Sequence, residues 1–152
     1  MKYVKGDATQ PQASGSRIIA HICNTRGGWG RGFVLALSKR WKEPEQCYRD
    51  WYKQGFNLGD VQFVVVEEYH NGQIVVANMI AQEGISWRNG EPPIRYEALK
   101  KCLAKVAERA KEIDASIHMP RIGCGLAGGK WKRVEPIVAE VLAGISVTIY
   151  DL

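Results

Sequence analysis

Apolar residues fall along this chain in two rhythms. Short β-branched runs read as strands, and longer stretches with three- and four-residue apolar spacing read as helices. The two rhythms alternate along most of the chain. Lys2–Lys5 is expected to form a short edge strand, stopped by Gly6. Residues 17–22 (Arg-Ile-Ile-Ala-His-Ile) suit a buried central strand. Val34, Leu35, Leu37, Ser38 and Trp41 then give one face of a helix. Glu43-Pro44-Glu45 opens a second helix to about Gln54, with Cys47, Trp51 and Tyr52 as its expected buried positions. Residues 61–68 and 73–81 read as two strands, and the His70-Asn71-Gly72 turn between them signals a hairpin. The clearest helix spans residues 95–114, where Leu99, Leu103, Val106, Ala110 and Ile113 recur with charges between them. Residues 116–120 and 146–150 are the last strands. They flank a helix carrying Val134, Ile137, Val138, Val141 and Leu142 and ended by Gly144. Pro136 is expected in its first turn or beside a kink.

Strands and helices in this order predict an α/β fold. A mixed central sheet of about six strands lies between helical layers, a three-layer α/β/α arrangement. With no linker, low-complexity tract or composition break, residues 1–152 read as a single domain. One segment is long for a compact domain. Residues 83–93 (Glu-Gly-Ile-Ser-Trp-Arg-Asn-Gly-Glu-Pro-Pro) are either a functional lid or a plain surface loop.

Glycines mark the candidate chemistry. Gly27, Gly28, Gly30 and Gly32 follow the strand at residues 17–22, and Gly123, Gly125, Gly128 and Gly129 follow the strand at 116–120. Each group leads into a helix. Such a loop lets backbone come close to a ligand and turns N–H groups towards it, and a helix start adds partial positive charge, which suits phosphate. The spacing matches neither a Walker A loop nor the dinucleotide fingerprint. In an open α/β sheet, two such loops can face each other across the crevice at the carboxyl ends of the strands. A phosphorylated ligand is the reading this repetition favours. His21 and Asn24 stand at one strand end and Gln82 at another.

Composition narrows the picture modestly. The net charge is +5 over 152 residues, which favours an anionic partner. The basic residues are scattered, so a nucleic-acid groove is not expected. No apolar run approaches the roughly 20 residues a membrane span needs, and the first residues hold no signal-peptide core. Cys23, Cys47, Cys102 and Cys124 are far apart and suggest neither a metal site nor disulfides, so a cytoplasmic setting is expected. No cofactor or metal is expected, and the chain reads as a monomer.

These pieces together resemble the macrodomain family. Gly6-Asp7-Ala8-Thr9 is similar to its Gly-Asp-Ile-Thr start. Ala20-His21-Ile22-Cys23-Asn24 with Gly28-Trp29-Gly30-Arg31-Gly32 resembles its first glycine loop, Pro120-Arg121-Ile122-Gly123-Cys124-Gly125 its second, and Thr148-Ile149-Tyr150-Asp151-Leu152 its ending. Met119 to Leu126 is most similar to the subclass of the terminal ADP-ribose protein glycohydrolase. The His-x-Cys-Asn and Gly-Trp-Gly-x-Gly pieces also resemble the yeast-type ADP-ribose-1″-phosphate phosphatases. The resemblance implies ADP-ribose, free or on a modified protein, as the partner. It implies that Asp7 and Ala8 meet the adenine, with Tyr150 and Asp151 at the same end. The backbone of Ile122, Gly123, Cys124, Gly125, Leu126 and Ala127 would cradle the diphosphate beside Arg121. Trp29, Gly30, Arg31, Gly32 and Phe33 would enclose the distal ribose.

Two departures bear on activity. The glycohydrolase's nucleophilic lysine corresponds to Gln82 and its loop aspartate to Ala127. Glutamine cannot form the covalent adduct and alanine cannot move a proton. The expected function is therefore an ADP-ribosyl hydrolase acting on acidic residues by a water mechanism, with Gln82, His21 and Asn24 orienting water and ribose hydroxyls. The alternatives are a reader that binds ADP-ribose without chemistry, and an ADP-ribose-1″-phosphate phosphatase. Cys124, the tempting nucleophile, reads rather as a small side chain packed under its loop.

Overall fold

The computed structural model describes residues 1–152. In chain order the elements are β1 (Lys2–Lys5), β2 (Arg17–Asn24), α1 (Phe33–Arg40), α2 (Glu43–Gln54), β3 (Val61–Tyr69), β4 (Gly72–Gln82), α3 (Tyr96–Ile113), β5 (Ser116–Met119), α4 (Trp131–Val141) and β6 (Val147–Asp151). They form one six-stranded sheet in the order β1-β6-β5-β2-β4-β3. All neighbours are parallel except β3 and β4, the antiparallel hairpin. The mixed three-layer α/β/α architecture expected from the sequence is the one observed. No helix is long and apolar enough to cross a membrane.

The two sheet faces bury unequal cores. The larger joins Ile18, Ala20, Ala77, Met79 and Ile117 of the strands to Leu99, Leu103 and Val106 of α3 and Val134 and Val138 of α4. The smaller lies under α1 and α2, where Ile19, Val76 and Ile80 meet Leu37 and Tyr48. Alternate residues of β2 thus serve opposite layers, so the run is apolar throughout rather than alternating, as a doubly covered strand requires.

Three expectations are corrected. Leu35 is 47% exposed, because the buried stripe of α1 runs through Val34 and Leu37 and leaves Leu35 about a quarter-turn away. In α2 the buried positions are Pro44 and Tyr48, while Cys47 and Trp51 are half-buried and Tyr52 is exposed. Residue 48 lies one helical step from 44 and 51, and that stripe faces the sheet. Pro136 sits inside α4, beyond the first turn that was one of its two expected places. The hydrogen bond it forgoes is to the carbonyl of Lys132, an exposed residue at which water can take its place. Residues 10–16 form a largely exposed loop held at two points: Pro11 is buried, and the Gln12 N–H donates to Tyr150 Oη at 2.8 Å.

Candidate functional site

β2 and β5 are adjacent parallel strands, so their carboxyl ends open on the same side of the sheet, with the end of β4 beside them. The glycine loops that leave β2 and β5 therefore face each other across a crevice, where open α/β sheets bind ligands. Between them lies a cavity of about 690 Å³. Residues 28–34 form one wall and residues 120–123 and 125–127 the other, with His21, Asn24, Gln82 and Ile85 completing it. The loops meet where Leu126 approaches Gly32, its Cδ1 lying 3.7 Å from where a Cβ on the glycine would be.

Glycine is required here for two separate reasons. In the second loop it permits tight folding. Gly123 has φ +74°, and an added Cβ would lie 2.4 Å from Ile94 Cδ1, while one on Gly129 would lie 2.5 Å from the Gly123 carbonyl oxygen. Gly30 and Gly125 differ, because a Cβ on either would meet no protein atom within 4 Å. Both line the cavity, so the missing side chains leave backbone open to a ligand.

α1 starts in this wall. Its N-cap is Gly32, which has no side chain to cap the helix, and Gly32, Phe33 and Val34 all line the cavity. The first backbone donors of α1 and the positive end of its dipole are thus offered to an anion. The start of α4 was expected to do the same for the second loop. Trp131 and its N-cap Lys130 lie outside the cavity instead, because Gly128 and Gly129 carry the chain away before the helix begins. Arg31 and Arg121 are the only charged side chains lining the cavity, and no carboxylate does. Arg121 is tied to Asp151 by two hydrogen bonds of 2.7 and 3.0 Å. That pairing pushes its own pKa up and holds the Asp151 carboxyl below the ordinary range.

The three residues expected to orient water have different surroundings. Gln82 donates from Nε2 to the Gly84 carbonyl at 3.0 Å. Asn24 is occupied within its own loop: Oδ1 accepts from the Arg26 and Gly28 N–H groups and from Tyr48 Oη, and Nδ2 donates to the Gly28 carbonyl. It builds the loop, and the second hydrogen of Nδ2 is the one group it has left over for a ligand. His21 is 2% exposed, with its ring edge-on to Trp29 and tilted against Phe33. Asn78 uses Nδ2 on the Pro44 carbonyl and on Gln62 Oε1, so its Oδ1 is the acceptor 2.5 Å from His21 Nε2. The imidazole proton therefore sits on Nε2. Burial pushes the His21 pKa down to about 4, leaving a neutral ring whose Nδ1 has no partner.

Trp29 is buried, donating from Nε1 to Ser38 Oγ at 2.7 Å, and its ring is one of the walls. Cys124 does not line the cavity. Its thiol is raised in pKa by burial and approaches the Ile122 carbonyl at 3.3 Å, which fits packing and not nucleophilic attack. Asp7, Ala8, Tyr150 and Asp151 also lie outside this cavity. They gather at the neighbouring end of the sheet, where β1 pairs with β6 and the Gly6 N–H donates to the Asp151 carbonyl. Asp7 forms a local turn, its Oδ1 accepting from the Thr9 N–H and Oγ1.

Three further residues shape the site. Tyr48 donates to the Asn24 carbonyl, Thr25 Oγ1 accepts the Gly84 N–H at 2.8 Å, and Ile85 lines the cavity. Tyr48 and Thr25 bond residues 24 and 59 positions away, which no local pattern encodes. Ile85 had one signal, the one aliphatic side chain of the loop at residues 83–93.

A sequence model of the Macro domain family matches residues 20–138. The solved structure of a macrodomain protein from Streptomyces coelicolor is 51% identical, covers 99% of this chain and 98% of its own, and superposes with a TM-score of 0.86. The mouse protein named Chromodomain-helicase-DNA-binding protein 1-like is 35% identical over 158 residues, 99% of this chain. This chain spans only 17% of that protein's length. The ADP-ribose 1″-phosphate phosphatase of Saccharomyces cerevisiae (strain YJM789) is 26% identical over 174 residues, covering 99% of this chain and 97% of that enzyme.

Proposed function

This chain belongs to the Macro domain family, and we propose that it binds ADP-ribose between its two glycine loops and releases mono-ADP-ribose from acidic residues of proteins by a water-mediated reaction. The observation that carries this reading is the make-up of the wall: two arginines, open backbone at Gly30 and Gly125, the uncapped start of α1, and no carboxylate. Such a surface suits a diphosphate. The cavity volume also falls in the ordinary range for small-molecule sites, roughly 300–1,000 Å³. The yeast relative is named for an ADP-ribose derivative.

The chemistry follows from what the wall lacks. With Gln82 and Ala127 at the matching positions, no side chain can attack C1″ covalently or act as a carboxylate base. An ester to a glutamyl or aspartyl side chain asks little of the enzyme, because the leaving group is already a stable carboxylate and needs no acid. Water attacks C1″, the ester C1″–O bond breaks, and the proton passes to the ligand's own phosphate. Gln82, held by Gly84, positions the water through its free carbonyl oxygen. The unpartnered Nδ1 of neutral His21 accepts a hydroxyl hydrogen, and Asn24 keeps the first loop in shape. Positioning and fixed dipoles of this kind accelerate reactions without an acid–base pair.

The bare wall also supports a second reading, a module that binds ADP-ribose and performs no chemistry. The yeast phosphatase's name suggests a third, which the missing carboxylate disfavours. The experiment that separates them is ADP-ribose release from a glutamate-modified protein by wild type and Gln82→Ala. Release that falls in the variant, with ADP-ribose affinity retained, supports the hydrolase. Tight binding without release by the wild type establishes the reader.

A further inference from the structure

Leaving aside the terminal Leu152, the three most exposed large apolar side chains of the chain are Ile85 at 59%, Trp87 at 58% and Leu126 at 56%. Two of them belong to the same cavity, and Trp87 lies outside its lining, two residues from Ile85 and against the second glycine loop. Ile85 and Leu126 line it. Trp87 rests an edge of its indole on Gly128, where an added Cβ would lie 2.9 Å from Cζ2, and leaves the rest of the ring to solvent. Single exposed apolar residues are ordinary, but three in and beside one binding cavity mark an interaction surface.

The loops that carry this rim are also cationic. Arg26 and Arg31 on the first loop and Arg88 beside Trp87 are exposed, and none takes part in an ion pair. Glu83 and Glu91 only partly offset them. The backbone holds the rim in place: the Gly84 N–H donates to Thr25 Oγ1, Glu83 N–H to the Pro93 carbonyl, and Arg88 and Glu91 bond each other's main chain. Gln82 pairs with Ile94 and the Ile94 N–H donates to the carbonyl of Ala127, next to Leu126, which sets the second loop beside the strand end that carries Gln82 and Ile85.

We propose that Ile85, Trp87 and Leu126 form a docking surface for the polypeptide that carries the ADP-ribose, a segment with an apolar side chain beside the modified acidic residue and further acidic residues around it. The inference rests on the ADP-ribose reading of the cavity. At the Gln82 end, whatever is attached to the distal ribose must leave past this rim. An apolar neighbour of the modified residue then covers Trp87 and Ile85, and an acidic segment meets Arg26, Arg31 and Arg88. Nucleic acid also meets the cations but has no aliphatic side chain to place on Ile85 and Leu126.

The test is calorimetry with free ADP-ribose and with ADP-ribose joined through a stable amide to short acidic peptides, one with leucine and one with serine beside the attachment. The leucine peptide is expected to bind about fivefold more tightly than the serine peptide, and the serine peptide, which keeps the acidic residues, at least as tightly as free ADP-ribose. Trp87→Ser should abolish the gain for the leucine peptide and keep free ADP-ribose affinity within about twofold of wild type, with Trp87→Phe retaining most of the gain. Equal binding of the leucine and serine peptides, with free ADP-ribose still bound, overturns this inference alone. Tighter binding of an ADP-ribosylated oligonucleotide than of either peptide also overturns it. Failure of free ADP-ribose to bind overturns the reading of the cavity and this inference with it.

Discussion

Gln82 Nε2 donates to the carbonyl of Gly84 at 3.0 Å, a bond that turns the end of β4 back on itself at the edge of the cavity. The Gly84 N–H is held in turn by Thr25 Oγ1 of the first glycine loop. One glycine thus ties β4, the loop at residues 83–93 and the first glycine loop together. It also fixes which end of the Gln82 amide is free, leaving the carbonyl oxygen as an acceptor.

Gln82→Ala should therefore cut release from a glutamate-modified protein by about tenfold or more, the scale of lost positioning, while ADP-ribose affinity changes by less than about threefold. Parallel titration calorimetry and a release assay on one preparation read both quantities. A matched fall in affinity and turnover would assign Gln82 to ligand binding and remove it from the reaction.

Gly125→Val should separate binding from folding. The new side chain meets no protein atom near its Cβ, and Gly125 is not among the positive-φ glycines, so the fold should tolerate it. It projects where the ligand's phosphates are expected. ADP-ribose affinity should fall by at least about tenfold with the melting temperature nearly unchanged. Full affinity in this variant would mean that the ligand lies elsewhere.

Asn24→Ala should behave in the opposite way. It removes the acceptor for the Arg26 and Gly28 N–H groups, while Tyr48 keeps the Asn24 carbonyl, and leaving such donors unsatisfied costs about 1–3 kcal/mol. Stability and ADP-ribose binding should drop together in chemical denaturation and calorimetry. A fully stable variant with impaired turnover would instead give Asn24 a direct part in the chemistry.

Acid should destabilise the fold through two buried histidines. Burial pushes the pKa of both His21 and His118 from 6.5 down to about 4. Their stabilising contribution is complete above pH 6.5. Between 6.5 and 4 the unfolded chain takes up protons that the folded chain refuses, so stability falls as the pH is lowered, by up to about 3 kcal/mol for each histidine. His118 lies in β5 and does not line the cavity; it is bonded to Ser116 Oγ and Tyr150 Oη. Urea melts of wild type and His118→Gln across this range should show a shallower pH dependence in the variant. Parallel slopes would mean that His118 does not titrate as its burial implies.

Much of this protein is legible in its residue order, for a physical reason. Strand and helix periodicity, the Asn71-Gly72 turn and the two glycine clusters are local properties, each enforced by backbone sterics and by which side chains must leave water within a few residues. They were enough for the six strands, the four helices, the layering and the two loops as partners across a crevice. Tertiary structure decided the rest. Only the strand order puts β2 beside β5 and so brings residues 28–34 against 120–127. Only packing shows that α1 and not α4 opens on the cavity, that Leu35 faces water, and that Asn24 is occupied by Tyr48 and its own loop. Those outcomes turn on hydrogen bonds and contacts between residues tens of positions apart. Their energy depends on geometry that exists only once the sheet has formed.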